Sequence, residues 1–233
     1  MKKSIIIISI IAITACAATG LTTYFVTKHQ ANQRYNELAK KVFEMHYNER
    51  CALFEEENKH LSDVDVSFIG DSLTEGYDIK SYYPQYNAVN RGIGGDTTFG
   101  VEKRLKVSAY DVNPKIVTLL IGANNFDTMM DNYENILLGF KDNIPETKIV
   151  LLSLTSMTKE WSKNNKKAQQ NNIKIQELAV KYNYTYVDLY NPLLDESTNE
   201  LKLEYTTDGG HFTALGYEVI TSIITPVLEN LLK

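Results

Sequence analysis

Four short polar segments of this sequence carry the residue types that acyl transfer needs. They are GDSLTEG with Ser72, NRGIGGDTT with Gly95, IGANN with Asn124, and DGGHFT with Asp208 and His211. Cleavage of an ester requires a nucleophile, a base that takes its proton, an acid that orients the base, and hydrogen-bond donors for the oxyanion. A serine hydroxyl, an imidazole, a carboxylate, and amide or backbone N–H groups can fill these roles.

Each of these residues also has a simpler interpretation on its own. Ser72 follows an apolar run and could only cap a helix, and Asp208 could only shape a turn with the glycines after it. The glycines at 92, 94 and 95 could cradle a phosphate, but they lack the lysine of a phosphate-binding loop and depart from the G-x-G-x-x-G pattern. Because all four segments occur in one chain, catalysis is favoured over the simpler interpretations and over nucleotide binding.

The polar segments stand at the ends of predicted secondary-structure elements. Apolar runs predict strands at 64–70, 87–93, 115–122, 147–155 and 185–190, and helical patterns predict helices at 97–108, 131–143, 163–182 and 213–232. Several strands are continuous apolar runs, as expected for a parallel sheet that is covered on both faces. Alternation of strand and helix predicts a doubly wound α/β fold. Ligands of such folds bind at the carboxyl ends of the strands, so the four segments are expected to meet in one crevice.

Taken together, GDSLTEG, NRGIGGDTT, IGANN and DGGHFT resemble the four motif blocks of the SGNH hydrolases, also called GDSL esterases or lipases. They look most like the branch that includes platelet-activating-factor acetylhydrolase. The resemblance runs from about residue 47 to the C-terminus. It implies a flavodoxin-like, three-layer α/β/α sandwich around a five-stranded parallel sheet, with no metal ion and no organic cofactor.

The resemblance also implies a role for each residue of the four segments. Ser72 would be the nucleophile and an oxyanion donor, Gly95 and Asn124 would be the other donors, His211 would be the base, and Asp208 its orienting acid. The glycines at 92 and 94 leave the second donor open by a position or two. Many members carry Asp where this chain has Asn125, so a local hydrogen bond or the charge of the site is expected to differ.

Length and composition predict one globular domain with an appendage. The chain has 233 residues, of which 43% are hydrophobic and 23% charged. A formal net charge of -5 without a basic stripe weighs against a nucleic acid partner. No Cys/His cluster has metal-ligand spacing. We expect a 1–29 signal segment, a 30–60 helical stalk or first helix, and a 61–233 hydrolase domain.

The N-terminus has three interpretations. Lys2 and Lys3 precede an apolar stretch that could just span a bilayer as a signal anchor. The small residues near position 16 also allow a cleaved signal peptide, and ITAC resembles a lipoprotein signal in which Cys16 would be lipidated. The anchor and the lipoprotein would both tether the domain to a membrane. Lys28 and Arg34 follow the stretch and oppose the leading lysines, yet the short basic start favours a domain outside the cytoplasm.

These observations predict a serine ester hydrolase at a cell surface, with an ester of a carbohydrate or a lipid as its substrate. No long apolar lid is visible, which favours removal of short acyl groups such as acetyl from carbohydrate or other surface esters. A lysophospholipase or thioesterase for longer chains stays open, as does a non-catalytic module that binds glycans through the same crevice. Trp161 could stack on a sugar, wall an acyl pocket, or pack against a helix. The oligomeric state is not predicted.

Overall fold

The computed structural model describes the backbone of residues 2–233 and the side chains of residues 19–233. The strands are β1 (Val66–Gly70), β2 (Ala88–Gly92), β3 (Ile116–Leu120), β4 (Lys148–Leu152), β5 (Thr185–Val187), β6 (Leu194–Asp195) and β7 (Glu200–Leu201). The α-helices are α1 (Lys2–Asn58), α2 (Ser72–Glu75), α3 (Ile79–Tyr82), α4 (Thr98–Lys103), α5 (Met129–Asn143), α6 (Asn165–Tyr182) and α7 (Ala214–Leu231).

The central sheet is parallel and has five strands, as the sequence predicted. Its order is β2-β1-β3-β4-β5, and Val66 of β1 pairs with Ala88 on one side and Ile116 on the other. The chain goes from β1 to β2 on one side and then to β3 on the opposite side. The carboxyl ends of β1 and β3 therefore flank the point where the winding reverses, which is where α/β sheets form their ligand crevice.

Alternate side chains of the strands build two separate apolar cores, one on each face of the sheet. Val66 and Phe68 of β1 pack in the core that contains Ile220 and Ile224 of α7. Ile69, which points to the opposite face, belongs to the core formed with α5 and α6. All five residues of β1 are buried, and so are all five of β3. Helices thus cover both faces, giving the expected three layers.

The compact unit that carries the sheet begins at Tyr47, inside the predicted 30–60 stalk. The Tyr47 hydroxyl donates to the carbonyl of Gly100 at 2.9 Å, and the Asn58 amide donates to the carbonyl of Val107 at 2.8 Å. Phe54 is fully buried between these contacts. The last turns of α1 are therefore part of the domain, and the residues before Tyr47 form a unit of their own.

None of the described helices contains an apolar segment of the length that crossing a membrane requires. The three interpretations of the 1–29 segment, including lipidation of Cys16, depend mainly on residues 1–18, which lie outside the described side chains.

The predicted helix at 97–108 is interrupted. Helix α4 ends at Lys103, and a π-helical turn follows from Lys106 to Tyr110. Between them, Arg104 is almost fully buried, and its guanidinium donates to the Asp96 carboxylate at 2.7 Å and to the carbonyl of Gly70 at 2.9 Å. A buried charge needs such partners, and meeting them fixes the backbone where a regular helix would have continued.

Candidate active site

Ser72 is the first residue of α2, directly after the carboxyl end of β1. The Asp71 side chain caps this helix by accepting a hydrogen bond from the Leu73 N–H at 3.1 Å. The first N–H groups of a helix have no acceptor within the helix, so the Ser72 N–H remains available for a ligand. Ser72 therefore offers a hydroxyl and a backbone donor at the same point.

A chain of two hydrogen bonds joins the three residues predicted to be catalytic. The Ser72 Oγ lies 2.9 Å from Nε2 of His211, and Nδ1 of His211 lies 2.7 Å from Oδ2 of Asp208. The structure thus brings together a hydroxyl that follows β1 and a histidine that precedes α7, although 139 residues separate them. The catalytic role of the three residues stays a prediction.

The hydrogen bonds at Asp208 also determine the tautomer of His211. Burial alone would raise the pKa of Asp208, but the His211 backbone N–H, the imidazole and the Gly210 N–H outweigh it and hold the pKa well below its usual range. An ionised carboxylate only accepts hydrogen bonds, so the proton of a neutral imidazole resides on Nδ1. The Nε2 lone pair then faces the Ser72 hydroxyl, as a general base requires.

The turn that holds Asp208 and His211 is fixed by its own backbone. Oδ1 of Asp208 accepts from the N–H groups of Gly210 at 2.9 Å and His211 at 2.8 Å. Gly209 has a φ of +106°, and a Cβ there would lie 2.5 Å from the carbonyl oxygen of Thr158. Only glycine fits that conformation and that approach. The aspartate and the histidine are therefore presented as one rigid pair.

Asn124 follows β3 and lies beside Ser72 in the wall of one cavity. Its Nδ2 donates to the carbonyl of Asp96 at 2.9 Å. This bond uses one of the two amide hydrogens and leaves the other for a ligand. The same bond ties Asn124 to the loop that contains Gly95, so the two predicted donors are positioned together.

Hydrogen bonds distinguish among the three glycines that follow or end β2. The Gly92 N–H donates to the Asn90 side chain at 2.8 Å, and the Gly94 N–H donates to the Glu75 carboxylate at 2.5 Å. Gly95 has a φ of +78°, and its N–H is not engaged within the described part of the chain. Gly95 is thus the glycine of this set that can serve as an oxyanion donor, although it is not among the residues that line the cavity.

Asn125 makes local hydrogen bonds at the position where many family members carry a charged aspartate. Its Oδ1 accepts from the Thr98 N–H at 3.4 Å, and its Nδ2 donates to the Thr98 hydroxyl at 3.0 Å. The loop after β3 is therefore still joined to the start of α4. A carboxylate at this position could only accept a hydrogen bond from the Thr98 hydroxyl, whereas the Asn125 amide donates to it.

The cavity at Ser72 and His211 is small and largely apolar. Its volume is about 50 Å³. Its apolar walls are formed by Leu73, Leu120, Phe126, Leu154, Met157 and Trp161. The Trp161 ring lies 3.6 Å from the position that a Cβ on Gly210 would take, so it packs beside the turn that carries His211. Trp161 is 40% exposed and lines the cavity, so stacking on a sugar and forming the wall of an acyl pocket both stay predictions.

In the described part of the chain, no three His, Cys, Asp or Glu side chains come together as a metal ion would require.

Asp71 is a titratable group of this site whose burial the sequence did not predict. It is 1% exposed, and burial, together with the nearby Asp96 carboxylate, raises its pKa from the ordinary 3.8 to about 7 against the opposing Leu73 N–H. The folded protein then binds a proton that the unfolded chain has already released between those two values. Stability from this group is therefore present below pH 3.8 and is lost as the pH rises towards 7.

We expect Asp71→Asn to remove this pH dependence. Asparagine keeps an acceptor for the Leu73 N–H but does not ionise. The difference in free energy of unfolding, variant minus wild type, should therefore increase from pH 4 to 7, by as much as about 4 kcal/mol. Urea denaturation at several pH values measures the difference. Parallel curves for the two proteins over this range would show that Asp71 ionises normally in the folded state.

Comparison with known proteins identifies a family for the chain. Residues 68–219 match the GDSL-like lipase/acylhydrolase family. Over 99 residues the chain is 34% identical to platelet-activating factor acetylhydrolase IB subunit alpha2 of Homo sapiens, and the match covers 39% of this chain and 43% of that protein. The chain thus matches less than half the length of this curated relative.

Solved structures resemble the chain over most of its length. One from Streptococcus pneumonia, provisionally described as a platelet activating factor, has a TM-score of 0.76 and 27% identity, and the match covers 82% of this chain and 97% of the other. A GDSL-like lipase from Bacteroides thetaiotaomicron has a TM-score of 0.69 at 23% identity, covering 77% and 97%. An acetylxylan esterase from Geobacillus stearothermophilus has the same fold, with a TM-score of 0.58, 16% identity and coverage of 72% and 94%. By its sequence match, the chain belongs to the GDSL-like lipase/acylhydrolase family.

Proposed function

We propose that this protein is a serine ester hydrolase that removes short acyl groups, acetyl above all, from carbohydrate or other surface esters. The observation that carries the proposal is the hydrogen-bonded series Ser72, His211 and Asp208, which opens onto an apolar cavity of about 50 Å³. The nucleophile and the base are thus in contact, and the space beside them suits a small acyl group.

In the first half of the reaction, the Ser72 Oγ attacks the ester carbonyl while Nε2 of His211 takes the hydroxyl proton. The negative charge moves to the carbonyl oxygen, where the N–H groups of Ser72 and Gly95 and the Asn124 amide stabilise it. His211 then gives its proton to the departing alkoxide, the bond to that oxygen breaks, and the acyl group stays on Ser72. Asp208 stabilises the imidazolium while it exists.

In the second half, water replaces the alcohol. Nε2 of His211 takes a proton from the water, whose oxygen attacks the acyl carbon. The same donors stabilise the second oxyanion. His211 then returns the proton to the Ser72 Oγ as the acyl bond breaks, which releases the carboxylic acid and restores the enzyme.

Two observations support a short acyl group. A cavity of about 50 Å³ beside Ser72 favours a small acyl group such as acetyl. In addition, a relative by sequence is named an acetylhydrolase and a relative by fold an acetylxylan esterase. Longer-chain lysophospholipase or thioesterase activity and non-catalytic glycan binding are the competing outcomes of the experiment below.

The experiment is hydrolysis of p-nitrophenyl esters from acetyl to decanoyl by the full chain. We expect the Ser72-dependent rate to fall steeply beyond butyryl in the wild type. Trp161→Ala should flatten that profile, because removal of the indole joins the cavity to solvent beside Gly210 and admits longer chains. We expect the ratio of octanoyl to acetyl kcat/KM to rise about tenfold or more, because the indole no longer excludes the longer chain from the site.

Trp161→Phe is the matched control, and it should leave most of the wild-type profile in place. An equal loss on every ester in Trp161→Ala would mean that the indole supports the site without limiting acyl length. A wild-type rate that peaks at octanoyl or beyond would favour the lysophospholipase alternative. The absence of any Ser72-dependent turnover by folded protein would revive the binding module.

We further propose that the domain is tethered to a membrane and lies outside the cytoplasm, since Lys2 and Lys3 precede an apolar stretch of sequence. Protease added to intact cells should digest the domain if this is correct, and resistance until lysis would place it inside. The mass of the N-terminal peptide distinguishes an anchor, a cleaved signal and a lipidated Cys16.

A further inference from the structure

The loop that carries Gly95 is held at its far end by a buried ion pair. Asp96 directly follows Gly95, and its carboxylate receives a hydrogen bond from Arg104 Nε at 2.7 Å. Both side chains are at most 1% exposed. Arg104 also donates to the carbonyl of Arg91 at 2.8 Å, so this end of the loop is anchored to β2. The near end of the loop, from Gly92 to Gly94, is held in part by the Ile93 N–H, which donates to the carbonyl of Gly70 at 3.1 Å, and in part by side chains.

Glu75 and Arg50 hold that near end. Oε2 of Glu75 accepts the Gly94 N–H at 2.5 Å, and Oε1 lies 3.3 Å from Arg50 Nε. Nη2 of Arg50 donates to the carbonyl of Gly92 at 3.1 Å. The anionic side chain thus accepts the N–H at one end of the three-residue segment, and the cationic side chain donates to the C=O at its other end. Glu75 ends the helix that Ser72 begins, so these contacts connect the proposed nucleophile with the loop.

The Glu75–Arg50 ion pair is partly shielded from water and packs against an aromatic ring. Side-chain exposure is 21% for Arg50 and 27% for Glu75. The Arg50 guanidinium lies 4.7 Å from the centre of the Phe54 ring, and Phe54 is fully buried. Screening is weaker there than at an open surface, so an ion pair with additional hydrogen bonds contributes more than the usual exposed pair.

We propose that Glu75, with Arg50, is a positioning residue that sets the Gly95 N–H in the oxyanion hole relative to Ser72. The inference rests on the proposed serine mechanism. Gly94 and Gly95 are consecutive, so the bond that fixes the Gly94 N–H also limits rotation of the peptide that presents the next N–H. Oxyanion donors act only when they are within about 0.5 Å of the productive position. No motif in the sequence predicts a function for either side chain.

The test compares Glu75→Ala and Glu75→Gln in the full chain. For p-nitrophenyl acetate we expect Glu75→Ala to lower kcat by about 10- to 100-fold with KM changed less than about threefold, because the lost contact matters in the transition state rather than in ground-state binding. Glu75→Gln keeps an oxygen that can accept the Gly94 N–H, so most of the rate should return. Arg50→Ala should show a loss in the same sense as Glu75→Ala.

Glu134→Gln is the control for removing a glutamate from an ion pair. Glu134 pairs with Lys181 at 2.5 Å on the surface of α5 and α6, and the control should leave kcat unchanged. Thermal denaturation and titration of active sites correct each rate for folded protein. A Glu75→Ala enzyme with wild-type kcat per active site would overturn the inference, as would a loss that Glu75→Gln does not recover.

A second readout does not depend on turnover. In ¹⁵N-labelled protein, Glu75→Ala should speed hydrogen exchange at the Gly94 amide and shift the Gly95 amide resonance, while Glu134→Gln should change neither. If the wild type has no Ser72-dependent activity but the Gly95 resonance shifts, the proposed reaction fails and the positioning contact stands. If both Gly94 and Gly95 amides are unaffected in Glu75→Ala, the positioning role is wrong whatever the activity.

Discussion

Replacing Ser72 by alanine should lower kcat for short esters by at least ~10⁴-fold, the range found when a hydrolase loses its nucleophile. The Ser72 Oγ lies 2.9 Å from Nε2 of His211 at the wall of the cavity, so in the proposed mechanism it is the hydroxyl that an imidazole can activate. The residual rate should be that of water attack assisted by the oxyanion donors. Steady-state hydrolysis of p-nitrophenyl acetate by matched amounts of folded protein measures the loss.

His211→Ala and the double variant Ser72→Ala/His211→Ala test whether the two residues act together. Because the hydroxyl and the imidazole act as one unit, the double variant should be about as active as either single variant, and the losses should not multiply. Each protein should also unfold within a few degrees of the wild type, since Ser72 and His211 are both at least partly exposed. Multiplying losses would mean that the two residues act independently and that the proposed triad is wrong.

Asp208→Asn should lower kcat by about 10³-fold while the protein stays folded. Asparagine still has an oxygen for the N–H groups of Gly210 and His211, so the turn is kept. Its amide, however, can donate to Nδ1 of His211, which stabilises the tautomer whose Nε2 carries the proton. That imidazole cannot take the proton of Ser72, and the negative charge that would stabilise the imidazolium is also lost.

The chain offers a matched control for this substitution. Asp195 makes a similar turn, with its Oδ1 accepting from the Ser197 N–H at 2.9 Å, on the β6–β7 hairpin. Asp195→Asn should leave kcat unchanged. Resonances of His211 in ¹⁵N spectra report the tautomer directly. An Asp208→Asn enzyme that keeps the wild-type rate and the Nδ1–H tautomer would show that the carboxylate is dispensable.

The sheet was predictable because its strands are buried on both faces. Continuous apolar runs such as 64–70 and 115–122 have few alternatives in a chain of this size, and they contain the observed β1 and β3. The strand predicted at 185–190 ends instead at Val187, where Asp188 turns its side chain back to accept the Tyr190 N–H at 2.8 Å. A hydrogen bond of this local kind terminates a strand without changing its apolar pattern.

The site was predictable in its residue types but not in what supports them. Ser72, Asn124 and His211 could be placed together because they occupy strand ends and the start of a helix. Glu75 and Arg50 could not, since their partners are backbone groups of Gly92 and Gly94, and nothing in the sequence marks such contacts. The burial of Asp71 depends on contacts between distant parts of the chain, including the segments that carry Asp96 and His211, and only the folded chain defines these.

The division of the site along the chain has a consequence for its biosynthesis. Ser72 follows β1, Gly95 follows β2 and Asn124 follows β3. Asp208 and His211, in contrast, share one turn before the last helix. During translation the nucleophile and the oxyanion donors emerge well before the base. In the proposed mechanism, a nascent or truncated chain that lacks α7 and the preceding turn would therefore display an unactivated serine, and ester turnover would begin only when the final segment has docked.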